Sequence, residues 1–223
     1  MTEKIEFLKT LPLFSNIDER TFEWIETSFS ERTYKQGSVV IWEEDESKEM
    51  FIVCDGWLKV VKTSEIGREM ILNLLKSGDT FNAMSAFNKF YNPATVIALE
   101  ESHLMSIQYE DMSDLLDQHP QLARTLLQNF AARLQKMTAM VGNLSLQPVD
   151  VRLADLLITG ATDDVFKRRK WLTQKEMASL IGTVPEVANR LLNDFVEEGI
   201  IEMNRHQIRI VNHDLLKKKA NLV

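Results

Sequence analysis

The sequence predicts an α+β protein with an N-terminal antiparallel β-roll of the jelly-roll type, a long helix and a C-terminal winged helix-turn-helix. Six short β-type runs at roughly ten-residue spacing lie within residues 38–109. An apolar seam with alternating spacings of four and three follows in residues 123–144. Residues 172–211 then combine two short helices, a glycine turn and a hairpin. The predicted domains are residues 1–118 (roll with N-terminal helices), 119–147 (long helix) and 148–223 (winged helix-turn-helix).

Composition narrows the class of protein. The 223 residues include 26 Lys or Arg, 33 Asp or Glu and one Cys. One cysteine can form neither an internal disulfide nor an all-cysteine metal cluster within the chain. The sequence has no run of about 18 apolar residues and no signal-peptide pattern at its start, so we expect a cytoplasmic protein. Residues 148–223 carry 12 basic and 11 acidic residues, a net charge of +1, so the first 147 residues carry −8 of the total of −7.

The N-terminal half is predicted to begin with short helices and to continue as strands. Asp18 is a candidate N-cap for a helix in the first 30 residues. Turn signals such as Asp55-Gly56 and Ser77-Gly78-Asp79 separate the apolar runs that follow. The predicted strands are Ser38–Trp42, Met50–Cys54, Trp57–Lys62, Met70–Leu75, Ala94–Leu99 and Leu104–Tyr109.

After Tyr109 the pattern becomes helical. Glu110–Gln118 is predicted as a short helix, and Pro120 can open a long helix because proline suits the first helical position. The apolar seam of that helix predicts a coiled-coil contact between two copies of the chain; the alternative is packing on its own roll. The residues predicted at the dimer interface are Leu127, Phe130, Leu134, Met137, Val141 and Leu144, with Ala123 at the start of the seam. Gln147-Pro148 should end the helix.

The C-terminal segment has the signals of a winged helix-turn-helix. Asp150–Thr159 is predicted as a helix, and Gly160–Lys170 as a polar loop. Thr173 and Glu176 form a capping box, and Gly182 should end the helix that follows. Pro185 lies in the first turn of the next helix, and Gly199 ends it. The predicted hairpin pairs Ile200–Met203 with Gln207–Val211.

The exposed side of the second helix carries groups that can read base edges. Arg190 can donate two hydrogen bonds to guanine, Glu186 can accept from cytosine N4, and Asn189 can approach adenine or a phosphate. The alternative is a surface ion pair between Glu186 and Arg190. Likewise, the basic run Lys167–Lys170 is either a phosphate-binding segment or a solvated loop. The residues predicted to contact DNA are Glu186, Asn189, Arg190, Asn193, Thr173, Thr183, Arg205 and Lys170.

Five segments carry a family resemblance: YKQGSVVI, FIVCDGWLKVV, GREMILNLLKSGDTF, NFAARLQKMTAMVGNLSL and TQKEMASLIGTVPEVANRLL. With them, the chain resembles the CRP/FNR family of transcription factors over nearly its whole length. The resemblance implies a homodimer in which a cyclic-nucleotide-binding-like roll senses a signal and reorients two DNA-reading domains. It also implies RNA polymerase as a partner. The residue pattern is most similar to that of the nitric-oxide-responsive dissimilatory nitrate respiration (DNR-like) branch.

The resemblance also bears on the recognition helix. The Glu and Arg that the family uses to read DNA match Glu186 and Arg190. Pro185 stands where cyclic AMP receptors have an additional Arg. Asn189 stands where the nitrogen-oxide and oxygen regulators often have a Ser. The helix is therefore similar to that second group, which implies an inverted repeat with TTGA-like half-sites.

The residues with which members of the family bind a cyclic nucleotide are replaced in this sequence. Asn82-Ala83 replaces the family's Gly-Glu pair and Pro93-Ala94 replaces its Arg-Ser pair, so cyclic AMP is not expected. The cysteine cluster of the oxygen sensors is missing, so no iron–sulfur cluster is expected either. Candidate signals are haem with nitric oxide, or redox; the alternative is a dimer without an effector, controlled by its abundance. The residues predicted to line an effector pocket are Asn82, Ala83, Met84, Phe87, Tyr91, Pro93, Ala94 and Thr95.

The remaining candidates for chemistry are few. His103 and His119 are expected at the surface or at a helix cap rather than as haem ligands, and Cys54 as an inert core thiol. A cupin-like enzyme is a remote alternative, because residues 1–102 contain no His for a two-His-one-carboxylate site. The sequence also has no G-x-S-x-G, no H-E-x-x-H and no glycine-rich phosphate loop. We therefore expect neither catalytic residues nor a metal site.

Overall fold

The N-terminal part of the chain is a roll of eight strands preceded by helices. The computed structural model describes residues 3–15, 17–46, 48–86, 91–162, 171–204 and 207–221. Helices α1 (Glu3–Thr10) and α2 (Glu19–Ser28) flank a 3-10 turn at Pro12–Phe14. The strands are β1 (Phe29–Tyr34), β2 (Val39–Ile41), β3 (Glu49–Asp55), β4 (Leu58–Thr63), β5 (Glu69–Leu75), β6 (Thr80–Phe81), β7 (Thr95–Ala98) and β8 (Ser102–Gln108).

The strands form two four-stranded sheets of antiparallel pairs. One sheet has the order β1-β8-β3-β6 and the other the order β2-β7-β4-β5. Phe51 and Phe81 stack with ring centroids 5.0 Å apart in the apolar layer that fills the roll. A second apolar cluster joins β3 and β8 to the N-terminal helices through Ile52, Ile107 and Ile25. The roll is therefore packed on both faces of the first sheet, as the α+β prediction requires.

The predicted strands are all present, but the sequence reading missed two more. β1, with the sequence FSERTY, exposes four of its six residues and carries no apolar alternation. β6 is only two residues long, below the length at which periodicity is visible. The first 30 residues are thus not wholly helical, because β1 begins at Phe29. The predicted cap is confirmed, since Asp18 Oδ1 accepts from Thr21 N at 3.0 Å.

The second half of the chain is mainly helical. Pro120 is the first residue of the long helix, as predicted, and the helix ends just before Gln147-Pro148. The helix after it runs to Thr162, beyond the predicted end at Thr159, with the Thr159 hydroxyl bonded back to Asp155 O at 2.8 Å. The elements are α3 (Tyr109–Gln118), α4 (Pro120–Leu146), α5 (Val149–Thr162), α6 (Gln174–Leu180), α7 (Pro185–Glu197), β9 (Ile201–Asn204), β10 (Gln207–Ile210) and α8 (His213–Lys219).

The chain divides into two compact units. The first comprises residues 1–62 and 72–135, and the second residues 63–71 and 136–223. The division therefore falls within α4 rather than at its end. It also assigns the tip of the β4–β5 hairpin to the second unit. The core of the second unit includes Leu157, Met177, Leu192, Phe195 and Leu216.

Gly56 occupies a position that no other residue type can fill without strain. Its φ is +93°, and an added Cβ would lie 2.7 Å from Glu101 O and also against the Ser102 hydroxyl. We expect Gly56→Ala to lower the free energy of unfolding by about 2–5 kcal/mol, the sum of left-handed backbone strain and overpacking. Chemical denaturation measures this loss. Gly37→Ala is the matched control, because φ is +81° there and nothing lies within 4 Å. Equal losses for the two variants would contradict the close approach.

Candidate DNA interface

Helices α6 and α7 form the helix-turn-helix, and local signals fix both of their starts. Thr173 caps α6, since its hydroxyl accepts from Glu176 N at 3.3 Å and also bonds the Glu176 carboxylate. Gly182, with φ +66°, makes the turn, because a left-handed residue ends a helix at little cost only when it is Gly. Pro185 then starts α7 at a position where no backbone N–H is needed. The predicted N-cap and glycine turn are confirmed, but the second bond of the capping box is not formed, because Thr173 N donates to Trp171 O at 2.9 Å.

Helix α7 is strongly amphipathic. Its inner face buries Ala188, Leu192 and Phe195 in the core of the second unit. Its outer face exposes Glu186 and Arg190, which lie four residues and about one helical turn apart. Asn193 is exposed on the next turn of that face, while Asn189 and Thr183 are half-buried.

The predicted alternative of a surface ion pair does not occur on α7. Within the part of the chain that the structure describes, Glu186 and Arg190 form no ion pair with each other or with another side chain. As far as the described residues show, the guanidinium fork of Arg190 is therefore available for two parallel hydrogen bonds, and the Glu186 carboxylate is available to accept. Those are the two groups that match a guanine edge and a cytosine amino group.

Asn189 has a partner that sequence reasoning missed. Gln174, the first residue of α6, donates from Nε2 to Asn189 Oδ1 at 2.7 Å. The two residues are 15 apart in sequence, and no spacing rule pairs the start of one helix with the second turn of the next. The contact becomes visible only once the glycine turn has set the angle between α6 and α7.

Two of the predicted DNA contacts lie outside the described residues. These are Lys170, with the rest of the basic run 167–170, and Arg205 in the wing. Thr173 is described, and its hydroxyl serves the cap of α6. The wing strands themselves are present, with Ile201 opposite Ile210 and Asn204 opposite Gln207.

The tip of the β4–β5 hairpin contacts the helix-turn-helix within the second unit. Arg68 Nη2 donates to Gly182 O at 2.8 Å, and Lys175 Nζ lies 3.3 Å from Glu69 Oε1. Burial, with a smaller effect from the nearby charge of Arg68, lowers the pKa of Arg152. The sequence carries no signal for these contacts, because more than 100 residues separate the partners.

The predicted seam of α4 is only partly covered by the chain itself. Of the seam residues, Phe130 lies against the roll cluster, beside Leu122 and Leu126 on the neighbouring face of α4. Four other seam residues are exposed, and Leu144 is half-buried. The exposed fractions are 62% for Leu127, 67% for Leu134, 51% for Met137 and 62% for Val141.

The predicted effector residues are spread over different surroundings. Asn82, with φ +55°, donates from Nδ2 to Glu49 O at 2.8 Å, and Ala83 is buried against the N-terminal helices. Ala94 and Thr95 are buried, and Thr95 Oγ1 accepts from Glu43 N at 3.1 Å. Met84, Tyr91 and Pro93 are exposed, and Phe87 lies outside the described residues.

One end of the roll holds a cavity of about 440 Å³ that contains none of the predicted effector residues. Arg32 and Glu49 meet there in a two-pronged ion pair with both N–O distances at 2.9 Å. Asn92 fixes the neighbouring turn by donating to Asp45 O at 2.8 Å. The cavity is lined by Arg32, Val40, Ile41, Trp42, Asp45, Glu46, Lys48, Glu49, Phe51, Asn92 and Gln108.

Arg133 of α4 is a further residue that the sequence reading did not select. Its guanidinium donates to the carbonyl of Thr80, two residues before Asn82. Burial lowers the pKa of Arg133, and the nearby Asp79 opposes that shift. This hydrogen bond connects α4 to β6, the strand that directly precedes Asn82-Ala83.

The histidines form no ligand cluster in the described structure. His103 is exposed, and its Nδ1 lies 2.9 Å from the Thr33 hydroxyl. His119 is half-buried, and its Nε2 lies 3.0 Å from the Thr21 hydroxyl at the junction of α3 and α4. Across the described ranges, no group of three or more His, Cys, Asp or Glu side chains could hold a metal ion.

Cys54 is half-buried at the end of β3. Burial, with a smaller effect from the charge of Glu31, raises the pKa of the Cys54 thiol to about 11. The thiol therefore stays protonated at neutral pH, and we expect iodoacetamide to modify the native protein slowly at pH 7–8. In the native protein, the modification rate should rise about tenfold per pH unit until the pH reaches the raised pKa. In denaturant, the rate should approach that of a free thiol. Equal rates for native and unfolded protein at pH 7.5 would contradict this reading.

Comparison with known proteins covers both units. A model of the cyclic nucleotide-binding domain matches residues 31–119, and a model of the Crp-like helix-turn-helix domain matches residues 151–219. Over 216 residues the chain is 26% identical to the cyclic AMP receptor protein of Thermus thermophilus, covering 96% of this chain and 98% of that protein. Over 181 residues it is 28% identical to the cAMP-activated global transcriptional regulator Vfr of Pseudomonas aeruginosa, covering 77% and 85%.

A solved structure shares the fold. A CooA mutant from Carboxydothermus hydrogenoformans matches with a TM-score of 0.77 at 21% identity, over 94% of this chain and 95% of that one. A roll of the cyclic nucleotide-binding type, a long helix and a winged helix-turn-helix together define a class of DNA-binding regulators. The chain belongs to the CRP/FNR family of transcriptional regulators. The nearer likeness to the DNR-like branch stays a prediction. In the described ranges, no helix is both long and apolar enough to cross a membrane.

Proposed function

We propose that this protein is a cytoplasmic homodimer that regulates transcription by binding an inverted repeat in double-stranded DNA. The observation that carries the proposal is the outer face of α7. Glu186 and Arg190 are exposed there, one turn apart and unpaired within the described chain, directly after a glycine turn. Regulation without a catalytic step is the proposed activity, with RNA polymerase as the protein partner.

The proposed half-site is TTGA-like. Arg190 reads the guanine through O6 and N7, and Glu186 accepts from the N4 amino group of a cytosine. Asn193 extends the same face, while Thr183, Lys170 and Arg205 supply phosphate contacts that set the register. Thr173 contributes by capping α6, because its hydroxyl is already bonded to Glu176. Because a twofold dimer presents two copies of α7, the half-sites lie about one helical turn apart.

The proposed dimer interface is the seam of α4. Leu127, Met137 and Val141 each leave more than half of the side chain exposed. Their spacing continues the seam that starts at Ala123 and reaches Leu144. A row of open apolar side chains at alternating spacings of three and four is the pattern by which one helix packs on an identical helix.

The signal at the roll is proposed to be something other than cyclic AMP. The residues present do not fit that ligand, because neither Asn82-Ala83 nor Pro93-Ala94 offers the carboxylate or the cation that a ribose and a cyclic phosphate need. The Asn82 amide already donates to Glu49 O, and Ala94 is buried. Haem with nitric oxide, or a redox change, are the candidate signals. Because burial raises the pKa of the Cys54 thiol, Cys54 is a poor candidate for a thiol switch.

A second candidate is the same dimer with no effector, controlled by its abundance. The observation in its favour is the filled interior of the roll, where Phe51 and Phe81 stack within a layer that includes Val53, Leu58 and Leu104. A roll that is already packed has less need of a ligand to hold it together.

Selection of random duplex DNA by the purified full-length protein, with no ligand added, tests the proposal. Its absorption spectrum is recorded first, because a bound haem would show there. Enrichment of a TTGA-like inverted repeat would support the proposed reading. If the operator is enriched and the protein is colourless, the result favours control by abundance or by a signal that switches DNA binding off. If no sequence is enriched, the selection is repeated with haem, nitric oxide and reductant. Failure under all of these conditions would overturn the proposed function.

A further inference from the structure

We propose that Gln174 is a specificity-determining residue, which sets the base preference of α7 by holding the side-chain amide of Asn189 in one orientation. The inference rests on the proposed DNA-reading role of α7. Asn189 lies directly before Arg190 on that helix, at the edge of its exposed face. Gln174 approaches it from the start of α6 and donates from Nε2 to Asn189 Oδ1 at 2.7 Å.

Both ends of this hydrogen bond are anchored. Gln174 directly follows Thr173, whose hydroxyl caps α6, so the backbone at Gln174 is fixed by the cap. Asn189 directly follows Ala188, which is fully buried in the core of the second unit. The bond therefore joins two rigid points across the glycine turn.

The bond decides which polar group Asn189 offers to a base. A free asparagine amide can present its oxygen and its nitrogen together, which matches the N6 and N7 edge of adenine. When the oxygen accepts from Gln174, the amide nitrogen lies about 120° away on the same carbon, so the orientation of the NH2 group is fixed as well. Asn189 then offers mainly its NH2 donor, and it favours guanine and thymine, which present only acceptors in the major groove, over cytosine, which presents only its N4 donor.

A different role would leave a different signature. If Gln174 contacted a phosphate, its loss would weaken binding to every sequence alike, because phosphate contacts carry no sequence information. If it merely fastened α6 to α7, its loss would lower stability without moving one base preference. Control of the Asn189 amide changes the preference at a single position of each half-site.

The test measures binding of the full-length protein to the operator obtained by selection, with all four base pairs at each half-site position. Four proteins are compared: the wild type, Gln174→Ala, Asn189→Ala and the double variant. We expect Gln174→Ala to reduce the preference at one position from about fivefold or more to under twofold, with adenine gaining most. Asn189→Ala should act at the same position. In the Asn189→Ala background, Gln174→Ala should change nothing further, because its effect passes through the amide.

Gln174→Glu provides the sharper variant. A carboxylate only accepts hydrogen bonds, so Asn189 must turn its NH2 group towards α6 and present its oxygen to the DNA. The preferred base at that position should change to one with a donor, cytosine or adenine. The added charge lowers affinity for all sequences equally, and the preference ratio is insensitive to it.

The outcomes separate this inference from the proposed function. If the wild type selects an operator but both Gln174 variants keep the same base preferences, the role of Gln174 is overturned and the proposed function is not. A uniform loss of affinity, or additive effects in the double variant, also overturns it. Failure of the wild type to select any operator overturns both proposals.

Discussion

Replacing Met137 and Val141 together with Glu is expected to convert the proposed dimer into monomers. Both side chains are more than half exposed on the chain itself, so the change leaves the monomer fold intact. In the proposed coiled coil, the same positions face a second copy, and burying unpaired carboxylates there costs several kcal/mol per charge. Sedimentation at micromolar concentration should show the monomer, and affinity for an inverted repeat should fall to that for a single half-site.

The opposite side of α4 offers a matched control. Ala132→Glu with Ala139→Glu adds the same charge at exposed positions away from the seam, and the dimer should persist. The seam positions were chosen over Phe130, because that ring packs against the roll cluster and its loss would disturb the monomer. An unchanged dimer in the seam variant would exclude α4 as the interface.

Arg190→Ala is expected to cost about 1–3 kcal/mol for each half-site and to relax the preference for guanine at one position. The physical reason is the free guanidinium fork, which can match guanine O6 and N7 with two parallel hydrogen bonds. Competition binding against operators with all four base pairs at that position measures the effect. The affinity for random DNA should change much less.

Arg190→Lys is the informative companion variant. Lysine keeps the charge but lacks the planar fork, so binding to random DNA should be nearly preserved while the preference for guanine weakens. Equal losses on specific and random DNA in both variants would assign Arg190 to phosphate contact instead of base reading.

Much of the fold could be predicted because its signals are local. Asp18, Thr173 and Gly182 act within one helical turn, and each has the role that its residue type predicts. Strand β1 escaped prediction because its polar side chains carry no alternation. Helix α8 was overlooked, although Asn212 marks its start by accepting from Leu215 N at 3.0 Å.

The site could be predicted only in part, for a geometric reason. Helical spacing places Glu186 and Arg190 on one face, so their exposure follows from sequence alone. The bond between Gln174 and Asn189 depends on the angle between two helices, which no local pattern encodes. The contact between Arg68 and Gly182 spans 114 residues and is invisible for the same reason. The effector residues were predicted from a family motif that this sequence does not retain. In the structure, some of them are buried in the roll and others are exposed.

The single cysteine gives the natural chain a practical advantage for spectroscopy. Burial raises the pKa of the Cys54 thiol to about 11, so this side chain is almost entirely protonated at pH 7. A cysteine introduced at an exposed position, such as Asn193→Cys or Ala139→Cys, would take up a maleimide dye long before Cys54 does. In the proposed dimer, pairs of such labels on two copies of the chain would then report the spacing of the two α7 helices by energy transfer, with the native thiol left in place.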